Sequence, residues 1–325
     1  MTTFGNMINE VSMNLSGYTL QQDRATYLKT AITTTTSTSA SPLIVSLGST
    51  ENLGKGIIEI DEELLWVDSY DRVGGTAIIS PYGRGYLGTG PSANVGVTHS
   101  ADTKVTIAPT FPTFAIKRAI NDTISAIGSS IFAASTTTIT SNAAVAAFRL
   151  PTTGTTLNIR NILSMAYQSI GASKEWVPIK VWRFDGNANA TAFTSGQTIS
   201  VYDNIPSGRT IQIVYSKDPT PFTNTINATY TTLAAINDQI FTDITGLPES
   251  CKDLIILGAT YRLLSNLDPA RASMISPQAD ETDAKRPYGS SQSITKQIYA
   301  LFNQRLTEEV RSQQDRYPIR IHYSL

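Results

Sequence analysis

Hydrophobic positions in this chain alternate between two periods, and the switches between them mark out its elements. Phe4, Met7, Ile8, Val11 and Leu15 recur at helical spacing. Gly17-Tyr18 interrupts that stripe, and Thr19-x-x-Gln22 has the form of a capping box opening a second helix to about Ile32. Thr33 to Ser41 is a Thr/Ser/Ala tract ending at Pro42, which reads as a linker. The period then shortens to two. Leu43–Leu47, Gly56–Ile60, Leu64–Val67, Thr76–Ile79 and Lys104–Ile107 read as short strands, with Gly74-Gly75 as a hairpin turn.

A helix follows, opened by Thr110 with Pro112 in its first turn, where a missing N–H costs nothing. Ile116, Ile120, Ile124, Ile127 and Ile131 follow one another at helical steps. From Ser135 to about Ile244 alternation returns. Strands are expected at Thr136–Thr140, Leu157–Ile162, Val177–Phe184, Thr198–Tyr202 and Thr210–Tyr215, with turns at Asp185-Gly186, Ser195-Gly196 and Pro206–Gly208. That pattern predicts an antiparallel sandwich. Pro248 opens a helix to about Leu267 that is apolar most of the way round, with Leu254, Leu257 and Tyr261 in its core. A polar connection over 268–289 leads to a last helix at about 290–316, carrying Ile298, Leu301 and Phe302 on its apolar face.

The sum predicts an α+β fold: a helical bundle built from N-terminal, central and C-terminal helices, with two antiparallel β modules inserted. Its parts are N-terminal helices and linker at 1–42, a small β meander at 43–109 and a central bundle helix at 110–134. A β-sandwich at 135–245, C-terminal bundle helices at 246–316 and an extended arm at 317–325 complete it. Insertions of this size are tolerated because loop closure cost grows slowly with length. Ile120, Ile124, Ile127, Leu254, Leu257, Tyr261, Ile298, Leu301 and Phe302 are the expected bundle and ring packing positions.

Composition narrows the function. Charged residues make up 16% of the 325 positions, against about 25% in ordinary soluble domains. A surface so weakly charged suits a chain that ends against copies of itself. The net charge is −1, and the last 80 residues hold ten Lys/Arg against nine Asp/Glu, so no basic footprint for nucleic acid exists. Cys251 is the only cysteine, which rules out an intrachain disulfide and reads as a small apolar filler. The N-terminus lacks a charged-then-apolar signal, and no run of 18 apolar residues occurs. Synthesis in the cytoplasm without a membrane span is therefore expected.

Candidate chemistry is thin. Gly83-Arg-Gly-Tyr-Leu-Gly88 matches a dinucleotide fingerprint in letters, but Gly90-Pro91 forbids the helix that must follow. It reads as a glycine-supported β loop. Gly48 to Lys55 fails as a P-loop, in its spacing and because Gly56 stands where Ser or Thr must hold magnesium. The two histidines, His99 and His322, lie too far apart to suggest a zinc site. Asp61-Glu62-Glu63 and Asp280-x-x-Asp283 could pair as carboxylates but read as solvated turns. Trp66, Trp176 and Trp182 read as core or interface before a sugar platform. No catalytic residues, cofactor or metal are expected.

Arg84-Gly-Tyr-Leu-Gly-Thr89, followed by His99-x-x-Asp102-x-x-Val105, resembles a recurrent element of tailed-phage structural proteins. There, a strand ending in Arg-Gly-x-x-Gly-Thr leads through a short loop to His, a Gly or Asp turn and a Val-rich strand. Glu59-x-Asp61-Glu-Glu-Leu-Leu-Trp-Val67 fits the start of such modules, and Gly90 to Val95 is an insertion relative to the usual form. Leu257-Gly-Ala-Thr-Tyr-Arg-Leu-Leu264 is similar to the penultimate helix of phage head–tail adaptors, and Tyr299-x5-Arg305-x-x-Glu308-Glu309 to their last helix.

The resemblance implies a homo-oligomeric ring, commonly of twelve copies, below the portal protein. A C-terminal arm reaches into the portal, a downstream neck or tail protein docks beneath, and DNA passes through the lumen without sequence-specific binding. Here that arm is Tyr317, Pro318, Ile319, Arg320, Ile321, His322 and Tyr323. Ile319, Ile321 and Tyr323 share one face of an extended segment, which could add to a partner sheet or fill a groove. The alternative is a tail-tip or baseplate protein whose sandwich binds a partner or host-surface glycan. A carbohydrate-active enzyme using Asp61 or Glu63 is the third reading.

Overall fold

A computed structural model describes residues 1–19, 23–142, 144–145, 147–150, 158–170, 175–189, 191, 193, 195–265 and 290–318. The chain divides into two compact units. The first comprises Met1–Thr123, Pro221–Phe241 and Lys252–Asn303, the second Ile124–Thr220, Thr242–Cys251 and Gln304–Leu325.

The first unit is built on a six-stranded antiparallel sheet. Its strands are β1 (Arg24–Tyr27), β2 (Leu43–Ser46), β3 (Gly56–Ile60), β4 (Glu63–Asp71), β5 (Thr76–Ile79) and β6 (Lys104–Ile107), in the order β1-β6-β3-β4-β5-β2. The two end strands meet. Leu28 bridges Leu47, Lys29 N donates to Ser46 O, and Gly48 N donates to Tyr27 O. The two ends of the sheet are thereby joined at this one bridge, in the manner of a small barrel. Leu28, Val45, Leu47, Ile58, Ile60, Leu65, Val67, Ile79 and Val105 form its buried interior.

Beside the barrel lie α1 (Phe4–Thr19), the start of α2 (Thr113–Ile127), α3 (Leu233–Asn237), α5 (Lys252–Ser265) and the first part of α6 (Ser290–Arg316), while α4 (Phe241–Thr245) opens at the unit's boundary. α1 packs on α5 and α3. Phe222 stacks on Phe4 at 4.2 Å between ring centroids and tilts against Phe241 at 6.4 Å. Asn121 clamps the Phe222 backbone, its Nδ2 donating to Phe222 O and its Oδ1 accepting from Phe222 N, both at 2.9 Å.

The second unit is a sandwich. One sheet has the order β10-β9-β13-β7, with β7 (Ala133–Thr140), β9 (Asn161–Gln168), β10 (Trp176–Pro178) and β13 (Thr210–Lys217). The other has the order β11-β12-β8, with β8 (Ala147–Arg149), β11 (Trp182–Asp185) and β12 (Thr198–Val201). Both contribute to one core around Ile139, Met165, Ile199, Ile211 and Ile213.

Thirteen strands in three antiparallel sheets dominate the described residues, against six α-helices, so the expected helical bundle with inserted β modules is overturned. Each sheet system makes its own core, and the helices pack beside a barrel instead of forming a scaffold that carries it. Three local expectations change with it. The helix expected up to Ile32 is instead β1, because Arg24–Tyr27 pairs residue by residue with Lys104–Ile107, and that non-local ladder outweighs a local cap signal. The Thr/Ser tract expected as a linker is pinned along the barrel: Gly96 N donates to Thr35 O, and buried Ser37 Oγ donates to Ile79 O. The single strand expected at Val177–Phe184 is two strands in opposite sheets, with Ile179 buried at the crossover. The strands expected near Gly56–Ile60, Thr76–Ile79, Lys104–Ile107 and Thr198–Tyr202 are observed, as are the helices around Ile116–Ile127 and Leu254–Leu264.

Candidate functional site

The acidic run Asp61-Glu62-Glu63 forms the tip and first strand residue of the β3–β4 hairpin. Ile60 pairs with Glu63, so only Asp61 and Glu62 turn the chain, with φ of 44° and 71°. Two consecutive left-handed residues are what a two-residue hairpin demands, although Glu is a costly occupant. Glu62 then turns to the helices, while Asp61 and Glu63 share His99.

Glu62 lies 2.6 Å from Lys117 Nζ on α2 and accepts from Asn237 Nδ2 at 2.8 Å. Lys117 is itself buried, with its ammonium 5.6 Å from the centroid of the Phe4 ring. Glu63 is fully buried and faces Arg84, also fully buried, as a bidentate pair. Its Oε1 accepts from Arg84 Nε at 2.8 Å and Gly85 N at 2.9 Å. Its Oε2 is 3.1 Å from Arg84 Nη2, 2.9 Å from Val97 N and 2.9 Å from His99 Nε2. The other nitrogen of His99, Nδ1, lies 3.1 Å from Asp61 Oδ2. Arg84 also donates to the carbonyls of Thr34 and Val97. A Cβ on Gly96 would fall 2.1 Å from Glu63 Oε1 and 2.2 Å from Arg84 Nη2, so only glycine lets the loop cross this network.

The sequence reading of this run as a solvated turn is thus wrong for Glu62 and Glu63. Burial alone would raise the Glu63 carboxyl; hydrogen bonds from His99 and Arg84, with the Arg84 charge, outweigh it and hold the group at about 2. Glu59 shows the opposite balance. Burial raises its carboxyl, and the hydrogen bond from Thr113 N only partly opposes that.

The sign of the pH dependence follows. The stability that Glu63 supplies is complete above the unfolded carboxylate value and is lost as pH falls toward about 2; its full size is on the order of 3 kcal/mol. Glu59 works against this, since a raised carboxyl gains relative stability as pH falls through its folded value. Thermal melts between pH 6 and pH 2.5 should show a steep fall in Tm below about pH 4.5. That fall is expected to flatten in Glu63→Gln and to persist in Glu59→Gln. An acid limb of equal steepness in Glu63→Gln would contradict the assignment.

With five donors around two oxygens, Glu63 keeps no lone pair for a substrate. The network is suited to fixing a loop: it ties residues 84–99 to the hairpin and to the tract at 32–37. Cys251 offers no nucleophile either. Burial and then the neighbouring Glu309 push its thiol up to about 12. Among the described residues no group of three metal-ligating side chains occurs, and no helix is long and apolar enough to cross a membrane.

The remaining expected positions are scattered. Ile120, Ile124, Ile127, Leu254, Ile298 and Phe302 are buried, and Leu257 and Tyr261 are half-buried. Tyr261 packs on Tyr299 and Phe302 at 5.3 and 5.5 Å. Leu301 is a correction, being 50% exposed where packing was expected. Of the arm, Tyr317 rests on Phe132 at 5.8 Å and Pro318 follows it exposed. Ile319, Arg320, Ile321, His322 and Tyr323 lie outside the described residues, as do Asp280 and Asp283. Trp66 sits 5.3 Å from Tyr86 on the barrel, Trp182 packs on the sandwich core, and Trp176 is 44% exposed on β10.

Sequence reasoning singled out Arg84 and His99 by resemblance and named Glu63 only within a solvated turn or as an enzyme carboxylate, not as the group on which Arg84 and His99 converge. No family model matches this chain. A search of curated proteins also finds no match.

Proposed function

We propose that this chain is a non-enzymatic structural virion protein of a tailed phage, assembling as a ring at the head–tail junction. It docks onto the portal, offers a platform to the next neck or tail protein and leaves a lumen for DNA. The observation that carries this reading is the use made of the motif residues. Arg84, Gly85 and His99 all bond to Glu63, and Thr89 Oγ1 accepts from Leu64 N, so the most reactive-looking stretch of the chain is spent on holding a loop. What remains outside is a surface poor in charge, of the kind that ends covered by other subunits. The last helix also offers the arm a firm origin, since Gln313 bonds both N and O of Phe132 beneath Tyr317.

Removal of residues 319–325 tests the reading. The shortened chain should keep its Tm and lose co-sedimentation with portal rings. Undiminished portal binding would contradict the role of the arm.

One observation favours a second reading, a tail-tip or baseplate protein. Trp176 and Val181 are about half exposed on the sandwich, as on a glycan- or partner-binding face. Selective glycan-array binding lost in Trp176→Ala would favour it.

A further inference from the structure

Beside the Glu63 network, the neighbouring carboxylate draws together two groups that can react with each other. Glu62 Oε2 lies 2.6 Å from Lys117 Nζ, and Glu62 Oε1 accepts from Asn237 Nδ2 at 2.8 Å. An amine and a carboxamide thus meet at one acid–base group, from positions 55 and 175 residues away along the chain. A primary amine displaces ammonia from a carboxamide when one group takes its proton and another protonates the leaving nitrogen. Glu62 touches both nitrogens and can serve both ends.

The surroundings fit a reaction better than a purely structural ion pair. Lys117 is 3% exposed, and its ammonium lies 5.6 Å from the centroid of the fully buried Phe4 ring. Water is therefore kept away from the amine. Asn237 Oδ1 is buried and, among the described residues, meets no hydrogen-bond donor. A buried carboxamide kept for structure alone is ordinarily bonded at both ends. Here the end that is held is the nitrogen, the group that would leave.

The backbone adds a second sign. Glu62 stands at φ 71°, a left-handed position that Gly or Asn would occupy at less cost. Strain of this kind gathers at side chains with a chemical role. Asn237 in turn is pressed against the start of α1. Phe4 N donates to Gln239 O, and a Cβ on Gly5 would fall 3.2 Å from Asn237 Cβ.

We propose that Lys117 and Asn237 join in an autocatalytic isopeptide bond, with Glu62 as the acid–base group. The Lys117 ammonium gives a proton to Glu62 Oε2, and the neutral amine attacks Asn237 Cγ. The flexible lysine stem supplies the short approach. As Nζ–Cγ forms, the carbonyl pair moves onto Oδ1. Glu62 returns its proton to Nδ2, the carbonyl re-forms, and the Cγ–Nδ2 bond breaks to release ammonia. Glu62 then takes the surplus proton from Nζ and passes it to the ammonia. One ammonium leaves in all, and no further reactant is consumed. Glu62, whose side chain is 21% exposed, gives it a way out.

The bond ties α2 to α3 within the first unit and closes a loop of about 120 residues. That loop contains every strand of the sandwich, from β7 to β13. The proposal does not rest on the ring reading above.

Mass spectrometry of the purified, denatured full chain tests it. The intact mass should fall one ammonia below that of the sequence, after allowance for the initiator methionine. A protease digest should yield a branched peptide joining Lys117 to Asn237. Glu62→Gln and Lys117→Arg should each show the full mass and no branched peptide, a difference that a merely structural ion pair would not produce. A parent chain that melts cooperatively yet keeps its full mass overturns the proposal, whether or not the variants fold. Loss of ammonia without the branched peptide overturns it equally, and a branched peptide that persists in Glu62→Gln removes Glu62 from the reaction.

Discussion

Glu63→Gln is expected to be among the most damaging single-atom changes available in the barrel. It strips the charge that neutralises Arg84, which is wholly buried beside it. Removing one partner of such a pair costs about 3–5 kcal/mol, because the stranded charge stays out of water. For a unit of this size that corresponds to a fall in Tm of roughly 10 °C. Denaturant melts of Glu63→Gln, Arg84→Met and the double variant would measure it. The double should cost clearly less than the sum, since replacing both charged partners by uncharged groups leaves no orphaned charge. It should still not recover fully, because Gly85 N and Val97 N also rely on the Glu63 oxygens. Strictly additive losses would mean that the pair is not energetically coupled.

Phe222→Ala is the second large effect. The ring is 3% exposed between Phe4 and Phe241, so truncation removes an aromatic stack and leaves a cavity among α1, α4 and the segment that carries it. Such changes cost about 3–5 kcal/mol when neighbours cannot collapse. Here the Asn121 clamp fixes the backbone and limits relaxation. The expected result is loss of stability with α1 released, read as faster amide exchange at Met7 and Val11 than at Ile211 and Ile213 in the sandwich. Equal acceleration in both units would contradict this placement of Phe222.

What the sequence made legible were elements whose signal lies within them. The isoleucines of α2 and the alternation of Thr210–Lys217 mark a helix and a strand without help from the rest of the chain. Elements made by partners elsewhere stayed hidden. Arg24–Tyr27 is a strand because Lys104–Ile107 pairs with it, and nothing within those four residues announces that. Glu63 finds Arg84 21 positions away and His99 36 positions away, so the acidic run looked like a solvated turn. Phe222 sits in a Thr/Pro-rich stretch with no periodicity to betray its burial.

The bundle expectation failed for a related reason. Helical stripes show that a face is buried, but not whether the covering surface is another helix or a barrel. Leu301 illustrates the converse. It lies on the apolar stripe of its helix and is still half exposed, which periodicity alone cannot distinguish from core.

The measurement that bears most directly on the proposed role is the solution mass of the full chain, alone and mixed with its portal, with electron-microscope class averages of the same samples. A closed ring of about a dozen copies around an open channel is expected, either from the chain alone or only on the portal. A monomer or trimer indifferent to the portal would contradict it.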